Sequence, residues 1–179
     1  MSSLLNTNSQ AKHLALFILT FVIFGEVVAQ LKKSYVCVCM EKLADKLQDP
    51  LIIKNAADGT RRLFVGEQKG LIHIFHENGT KYPKLFLDIS GKIFNKTTHL
   101  GERGLLGLAF HPDCQQNRRF FIYYSSRVKP KKPADDHVTR LSEFRASKKD
   151  RNVADRSSER VIMEIQQPYG NHNGGEVSN

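Results

Sequence analysis

Residues 101–113 read Gly101-Glu102-Arg103-Gly104-Leu105-Leu106-Gly107-Leu108-Ala109-Phe110-His111-Pro112-Asp113. Two glycines enclose a charged pair, and the apolar run that follows ends at a His-Pro-Asp turn. The stretch therefore predicts a loop, a buried strand and a turn. Its glycines permit close backbone approach and positive φ, which would place Glu102 and Arg103 at the mouth of a pocket. A strand with a polar entrance loop is the simpler interpretation, because glycines beside apolar residues are common in all-β folds.

Short predicted strands separated by turns lie on both sides of this stretch. Upstream, the alternating or apolar runs predict strands over 51–53, 62–65, 71–75 and 85–88. Downstream, they predict strands over 119–125, 138–145 and 161–165. The apolar run 161–165 is assigned to the core. Even spacing of short strands with glycine turns predicts an all-β protein, either propeller blades or a sandwich, and periodicity does not choose between them.

A second glycine-rich loop, Asn171-His172-Asn173-Gly174-Gly175, follows the last predicted strand. An imidazole can accept a proton from an alcohol that is being oxidised, provided that its other ring nitrogen is held by a hydrogen bond. The flanking amides and glycines would let the ring stand clear of its own backbone. A plain surface histidine is the alternative, because no acid or nucleophile is adjacent in the sequence.

The two motifs, in this order, resemble the signatures of the glucose/sorbosone dehydrogenase family, the soluble quinoprotein β-propellers. Within that family the chain is most similar to the hedgehog-interacting-protein-like branch. The resemblance covers roughly residues 36–175 and implies that 51–179 form part of a six-bladed β-propeller. A chain of 179 residues is too short for six blades of about 40 residues each. We therefore expect about the first two blades, in a piece from the N-terminal side of a longer protein.

The resemblance also implies roles for individual residues. His172 matches the base that takes the sugar hydroxyl proton while hydride passes to pyrroloquinoline quinone (PQQ). Asn171 stands where some members carry Asp, and Glu102 stands where the glucose enzymes carry Gln, so both are assigned to the cofactor site. The family's quinone clamps and its calcium loop come from later blades, and no metal ligand is assigned here.

Two functions follow from the resemblance. The first is PQQ-dependent oxidation of a sugar or alcohol by the full-length protein, with this piece inactive by itself. The alternative is a non-catalytic extracellular protein that binds a protein ligand, as in the hedgehog-interacting-protein-like branch.

The N-terminus predicts export. Residues 1–29 resemble a cleaved secretory signal peptide, with a polar start, an apolar run over 14–24 and small residues before Gln30. The run is too short to cross a bilayer of about 30 Å as a helix, although an uncleaved signal anchor is an alternative. Residues 30–50 form a lead-in that contains Cys37 and Cys39. With Cys114 the cysteines are odd in number, so at most one disulfide closes within the chain and its connectivity stays open.

Charge and sequons describe the expected surface. The chain carries 27 Lys and Arg against 18 Asp and Glu, a formal net charge of +9. The basic runs 127–132 and 145–151 are either solvated loops or contacts for an acidic polymer such as a glycosaminoglycan. No aromatic residues interleave the lysines of the first run, so nucleic acid is not expected. Two sequons in predicted turns predict glycans at Asn78 and Asn95.

Overall fold

Antiparallel strands make up most of the described chain. The computed structural model describes residues 39–40, 42–94 and 101–178. Residues from Lys42 onward belong to one compact unit. The predicted signal peptide, Cys37 and the sequon at Asn95 lie outside the described residues.

The first sheet has four strands that follow one another in space as they do in sequence. They are β1 (Pro50–Asn55), β2 (Leu63–Glu67), β3 (Leu71–Phe75) and β4 (Leu87–Asp88), and each pairs antiparallel with the next. The tight turn between β2 and β3 requires Gly70, whose φ is +100° and whose Cα faces the backbone of Ser90 so closely that a side chain would not fit. Each strand confirms one of the upstream sequence predictions.

The second sheet repeats this arrangement. Its strands are β5 (Leu105–Phe110), β6 (Arg119–Ser126), β7 (His137–Ala146) and β8 (Ala154–Gln167), in that order and all antiparallel. A 3₁₀ turn (Ser90–Lys92) precedes it, and a single helical turn, α1 (Cys114–Asn117), joins β5 to β6. The decisive stretch is thus a loop, a buried strand and a turn, as predicted.

The core lies between the two sheets and is rich in phenylalanine. Side chains alternate along β6, so Phe120, Ile122 and Tyr124 all face the first sheet and are fully buried. Ring centroids of Phe86 and Phe120 are 5.0 Å apart, and those of Phe64 and Phe86 are 4.8 Å apart in an edge-on arrangement. Such pairs stabilise beyond the apolar area that they bury. The aromatic contacts therefore fix one sheet against the other.

Strand β8 corrects one sequence prediction. The pattern assigns the apolar run 161–165 to the core, but Val161, Ile162, Met163 and Ile165 are between 38% and 51% exposed. The prediction is wrong because, within the described residues, β8 packs almost only on its neighbour β7, whereas β5, at the other edge of the same sheet, packs on the first sheet and is buried. The anchored residue of β8 is instead the polar Glu159, which accepts a 2.6 Å hydrogen bond from the Tyr124 hydroxyl and pairs with Lys92.

Replacing the central aromatic residue tests this core. We expect Phe120→Ala to lower the free energy of unfolding by about 3–5 kcal/mol, because it leaves a cavity between the two sheets. Phe121→Ala is the matched control, since its ring is on the opposite, partly exposed face of β6, and should cost about 1 kcal/mol. Urea unfolding measures both values. Equal losses in the two variants would contradict the placement of the core on the Phe120 face.

Candidate functional site

The loop over residues 101–104 is held by the first sheet. Gln68, in the turn between β2 and β3, donates its side-chain amide to the carbonyls of Gly101 and Arg103 at 2.6 and 2.8 Å. Its own carbonyl accepts from the Leu105 N–H at 2.7 Å. Gly104 has a φ of +135°, and a Cβ there would lie 2.4 Å from the Gln68 carbonyl oxygen. Only glycine fits this close approach, so Gln68 fixes where Glu102 and Arg103 emerge.

The second glycine-rich loop packs against β5 and β6. The Asn173 side chain is buried and donates to the Gly170 carbonyl at 3.0 Å, and the Asn173 backbone carbonyl accepts from the Tyr123 hydroxyl at 3.0 Å. Beyond it, Gly175 lies so close to Gly107 that a side chain on Gly107 would collide with the Gly175 carbonyl. A glycine in each motif thus allows the two backbones to touch.

Glu102 and His172 meet at the same end of the sheets. The His172 N–H donates to Glu102 Oε2 at 2.6 Å, across 70 residues of sequence. His172 has a φ of +59°, a left-handed conformation that costs a non-glycine residue free energy and persists only where its surroundings fix it. Both side chains are exposed, and so is the neighbouring Asn171. The structure therefore brings together the two loops that carry all three predicted site residues.

Beside this contact, Arg103 points the other way into a nearly buried network. Its Nε and Nη2 both donate to Asp136 Oδ2, at 2.8 and 2.5 Å. The guanidinium is also 5.6 Å from the centre of the Phe94 ring and fills the space in front of Gly170, where a Cβ would collide with it. Arg103 thereby links the 101–104 loop to the start of β7 and to the loop before His172.

Asp136 is shared with His137, whose side chain is fully buried and stacked on Phe94. Burial alone would raise the pKa of the Asp136 carboxyl, but the hydrogen bonds from Arg103 and His137 outweigh it and hold the pKa below its ordinary value. Burial lowers the pKa of the His137 imidazole despite the adjacent carboxylate. Asp136 is therefore an anion and His137 a neutral donor through Nδ1 at neutral pH.

Sequence reasoning does not assign Asp136, His137 or Asn173 to the site. Asp136 and His137 follow the proline-containing basic run, where they read as part of a solvated loop, and Arg103 is 33 residues from Asp136. Asn173 is the buried amide of its motif, whereas the predicted Asn171 is exposed. The only sequence signal is the polar run Asp135-Asp136-His137 directly before an alternating strand.

Two further predicted features can be located. Asn78 is exposed in the turn that follows β3, and its side-chain oxygen accepts from the Thr80 N–H at 3.0 Å. This places the first sequon in a surface turn, as predicted. Cys114 is buried and donates its thiol hydrogen to the Ala56 carbonyl. Within the described residues there is no helix with the length and apolar character needed to cross a membrane.

Comparison with known proteins identifies relatives of this chain. Residues 47–178 match the glucose/sorbosone dehydrogenase family. The hedgehog-interacting proteins of Mus musculus and Homo sapiens are each 29% identical over 151 residues, which cover 82% of this chain and 21% of theirs. The chain thus spans about a fifth of the curated relatives that it matches.

Solved structures agree on the fold. An oxidoreductase of Thermus thermophilus, described as a glucose dehydrogenase, is 25% identical with a TM-score of 0.55, over 77% of this chain and 35% of that one. The PQQ-bound aldose sugar dehydrogenase of Streptomyces coelicolor is 19% identical with a TM-score of 0.59, over 79% and 37%. The two four-stranded sheets are blades of a partial β-propeller, which confirms the predicted fold class and excludes the sandwich.

The Arg103–Asp136–His137 network predicts a pH-dependent loss of stability. We expect Asp136→Asn to lower the free energy of unfolding by about 3 kcal/mol at pH 7, because a nearly buried guanidinium loses its partner. The pKa of Asp136 is lower in the folded chain than the unfolded value of about 3.9, so this stability is present above about pH 4 and is lost as the pH falls through the folded pKa.

Urea unfolding at pH 7 and at about pH 3 measures the effect. The difference in the free energy of unfolding between the wild type and Asp136→Asn should be smaller at about pH 3 than at pH 7. Asp113→Asn is the control, because Asp113 is an exposed carboxylate that makes no side-chain cap hydrogen bond to the helical turn after it. A difference that stays constant down to pH 3 would show that the carboxylate charge of Asp136 is not what stabilises the network.

Proposed function

The chain belongs to the glucose/sorbosone dehydrogenase family, and from this premise we propose that the full-length protein oxidises a sugar or related alcohol with His172 as the base. The observation that supports this most directly is the 2.6 Å contact between the His172 N–H and Glu102. It joins the two family motifs at one end of the propeller blades. A substrate that enters there would meet both side chains.

His172 has the placement that a proton acceptor needs. Its backbone is fixed by Glu102 on one side and by the buried Asn173 on the other, while its ring is exposed. The ring can therefore reach a hydroxyl group without a rearrangement of the loop. General-base catalysis by a positioned imidazole contributes about 10²- to 10⁴-fold in rate. Asn171 and Glu102 add polar groups beside the ring that can form hydrogen bonds with a polyhydroxylated ligand.

The described residues do not fit PQQ on their own. PQQ is a polycarboxylate and needs cations, but Arg103 is committed to Asp136 and Glu102 presents a negative charge to the same space. For calcium, the described residues contain no group of three or more His, Cys, Asp or Glu side chains that could hold a metal ion. We therefore propose PQQ and calcium only for the full-length protein, with the holding residues outside the described part, and derive no step through them here.

A second function is favoured by the same carboxylate and by the likeness to the hedgehog-interacting proteins. The exposed Glu102, whose neighbour Arg103 is committed to Asp136, is poorly suited to an anionic cofactor but well suited to a cationic surface of a protein ligand. In this alternative the full-length protein binds an extracellular protein ligand at the Glu102 end and has no turnover.

Dye reduction by the full-length protein tests the first function. With PQQ, calcium and a panel of aldoses, we expect turnover by the wild type and a loss of at least about 100-fold in kcat for His172→Ala. His76→Ala is the matched control, because His76 is an exposed histidine of the first blade, remote from the Glu102 contact, and should leave turnover unchanged.

Each other outcome has a clear meaning. Activity retained in His172→Ala would remove His172 from the role of base. Absence of both PQQ binding and turnover in the wild type would reject the oxidoreductase. Capture of a hedgehog-type ligand by that inactive protein, reduced in Glu102→Gln, would then support the binding function.

We also propose that the protein is secreted and glycosylated. The leader over residues 1–29 and the exposed turn at Asn78 support this location. Expression in a eukaryotic secretory cell should yield medium-borne protein that begins near Gln30. Enzymatic deglycosylation should remove mass in the wild type, less in Asn78→Gln and Asn95→Gln, and none in the double variant. Retention in the membrane fraction with residues 1–29 intact would favour the signal-anchor alternative.

A further inference from the structure

Basic side chains accumulate at the end of the second blade that is opposite Glu102 and His172. β5 runs from Leu105, near those residues, to Phe110, so the connection after it and the turn between β7 and β8 share the far end. Six cationic residues belong to this end: Arg118, Arg145, Lys148, Lys149, Arg151 and Arg156. We call this set the basic end.

Backbone contacts hold these residues together. The Ala146 N–H donates to the Arg118 carbonyl at 2.8 Å, and the Arg118 guanidinium donates back to the Ala146 carbonyl. The β7–β8 turn is closed by a bond from the Ser147 N–H to the Val153 carbonyl at 2.8 Å. The structure therefore presents the six cations on adjoining segments that backbone hydrogen bonds hold together.

Residues of the first blade form hydrogen bonds with the β7–β8 turn. The Arg62 guanidinium donates to the Arg151 carbonyl and to the Asn152 side chain, and it pairs with Asp58 at 2.5 Å. The Ala154 N–H donates to the Phe86 carbonyl at 2.7 Å. These bonds use backbone groups and the Asn152 side chain, so they leave the basic side chains of the turn exposed.

Four of the six cations of the basic end are exposed and have no ion-pair partner among the described residues. Lys148, Lys149, Arg151 and Arg156 are exposed and form no ion pair with any described residue. The carboxylates nearby include Asp150 and Asp155, Glu143, which pairs with Arg145 at 3.9 Å, and Asp88, whose pKa is lowered by hydrogen bonds from Ser90 and by the charge of Arg156. Arg145 and Arg156 are therefore partly compensated, whereas Lys148, Lys149 and Arg151 are not. The surface around the β7–β8 turn therefore carries an excess of positive charge.

The surroundings exclude two other classes of anionic partner. No exposed large apolar side chain lies within the described segments 111–119 and 145–156, so this end lacks the residues that peripheral proteins bury in a bilayer. Exposed aromatic rings for stacking bases are likewise missing from these two segments. What the surface offers is guanidinium and ammonium groups, which bind sulfate and phosphate oxygens through charge-assisted hydrogen bonds.

We propose that the basic end binds a sulfated polysaccharide of the glycosaminoglycan type. The proposal selects one of the two basic runs seen in the sequence. The other run, 127–132, lies at the Glu102 end, where Arg127 donates to the Ile93 carbonyl and the Asp135 N–H donates to the Lys132 carbonyl. The binding surface is therefore separate from the Glu102–His172 site, and the two can be occupied together.

A charge-reversal pair of variants tests the proposal on the full chain. We expect the triple variant Lys148→Glu, Lys149→Glu, Arg151→Glu to bind immobilised heparin about tenfold or more weakly. It should also elute at lower salt, because the attraction between a basic surface and a polyanion is electrostatic and is screened by salt. The matched control, Lys129→Glu, Lys131→Glu and Lys132→Glu, makes the same change in net charge at the other end and should change binding less than about twofold. Thermal unfolding verifies that both triple variants fold.

Ligand controls separate the possible sources of binding. Heparin and chondroitin sulfate should bind and unsulfated hyaluronan should not, which isolates the sulfate groups from the uronic acids. Equal weakening by both triple variants would overturn the proposal in favour of net charge alone, and no weakening by either would overturn it as well. Binding to phosphatidylserine vesicles without binding to heparin would assign the surface to a membrane instead. None of these results depends on turnover or on capture at the Glu102 end.

Discussion

The contact between the Gln68 turn and Gly104 is the constraint on which the rest of the structure depends. Gln68 uses its backbone carbonyl and its side-chain amide to hold Leu105, Gly101 and Arg103. Because the approach leaves no room for a Cβ at residue 104, the loop has a single path past the first blade. That path enters β5, and β5 carries the apolar side chains that pack the second blade against the first.

The same constraint gives the adjacent residues Glu102 and Arg103 different roles. The two adjacent residues have different partners: Glu102 accepts from the backbone of His172, while Arg103 pairs with Asp136. One residue supplies an exposed polar contact and the other a nearly buried ion pair. The nearly buried pair is held by two hydrogen bonds, and we infer that it serves to position the exposed residue. A side chain that is held in place before a ligand arrives reduces the entropic cost of binding.

The two ends of the blades differ in chemical character. The Glu102 end combines carboxylates, amides and an imidazole over a network of hydrogen bonds, whereas the far end gathers exposed cations around the β7–β8 turn. Strand direction separates them, because alternate connections of an antiparallel blade lie at opposite ends. A propeller of this kind can present one surface to a ligand and another to a polyanion without interference between the two.

The sequence by itself determined the all-β class, because the alternation of side chains along a strand is a local property. The propeller and the pair of loops were implied by the resemblance of its two motifs to a known family, since strand periodicity alone leaves a sandwich equally open. The sequence could not assign Asp136 or His137 to the site, since the pairing with Arg103 spans 33 residues and depends on where β7 begins in space. It also misplaced the apolar run of β8 in the core. Tertiary structure decided that point, because side-chain burial depends on what packs over the faces of a strand: β5 packs on the first sheet, whereas β8 has almost only β7 beside it among the described residues.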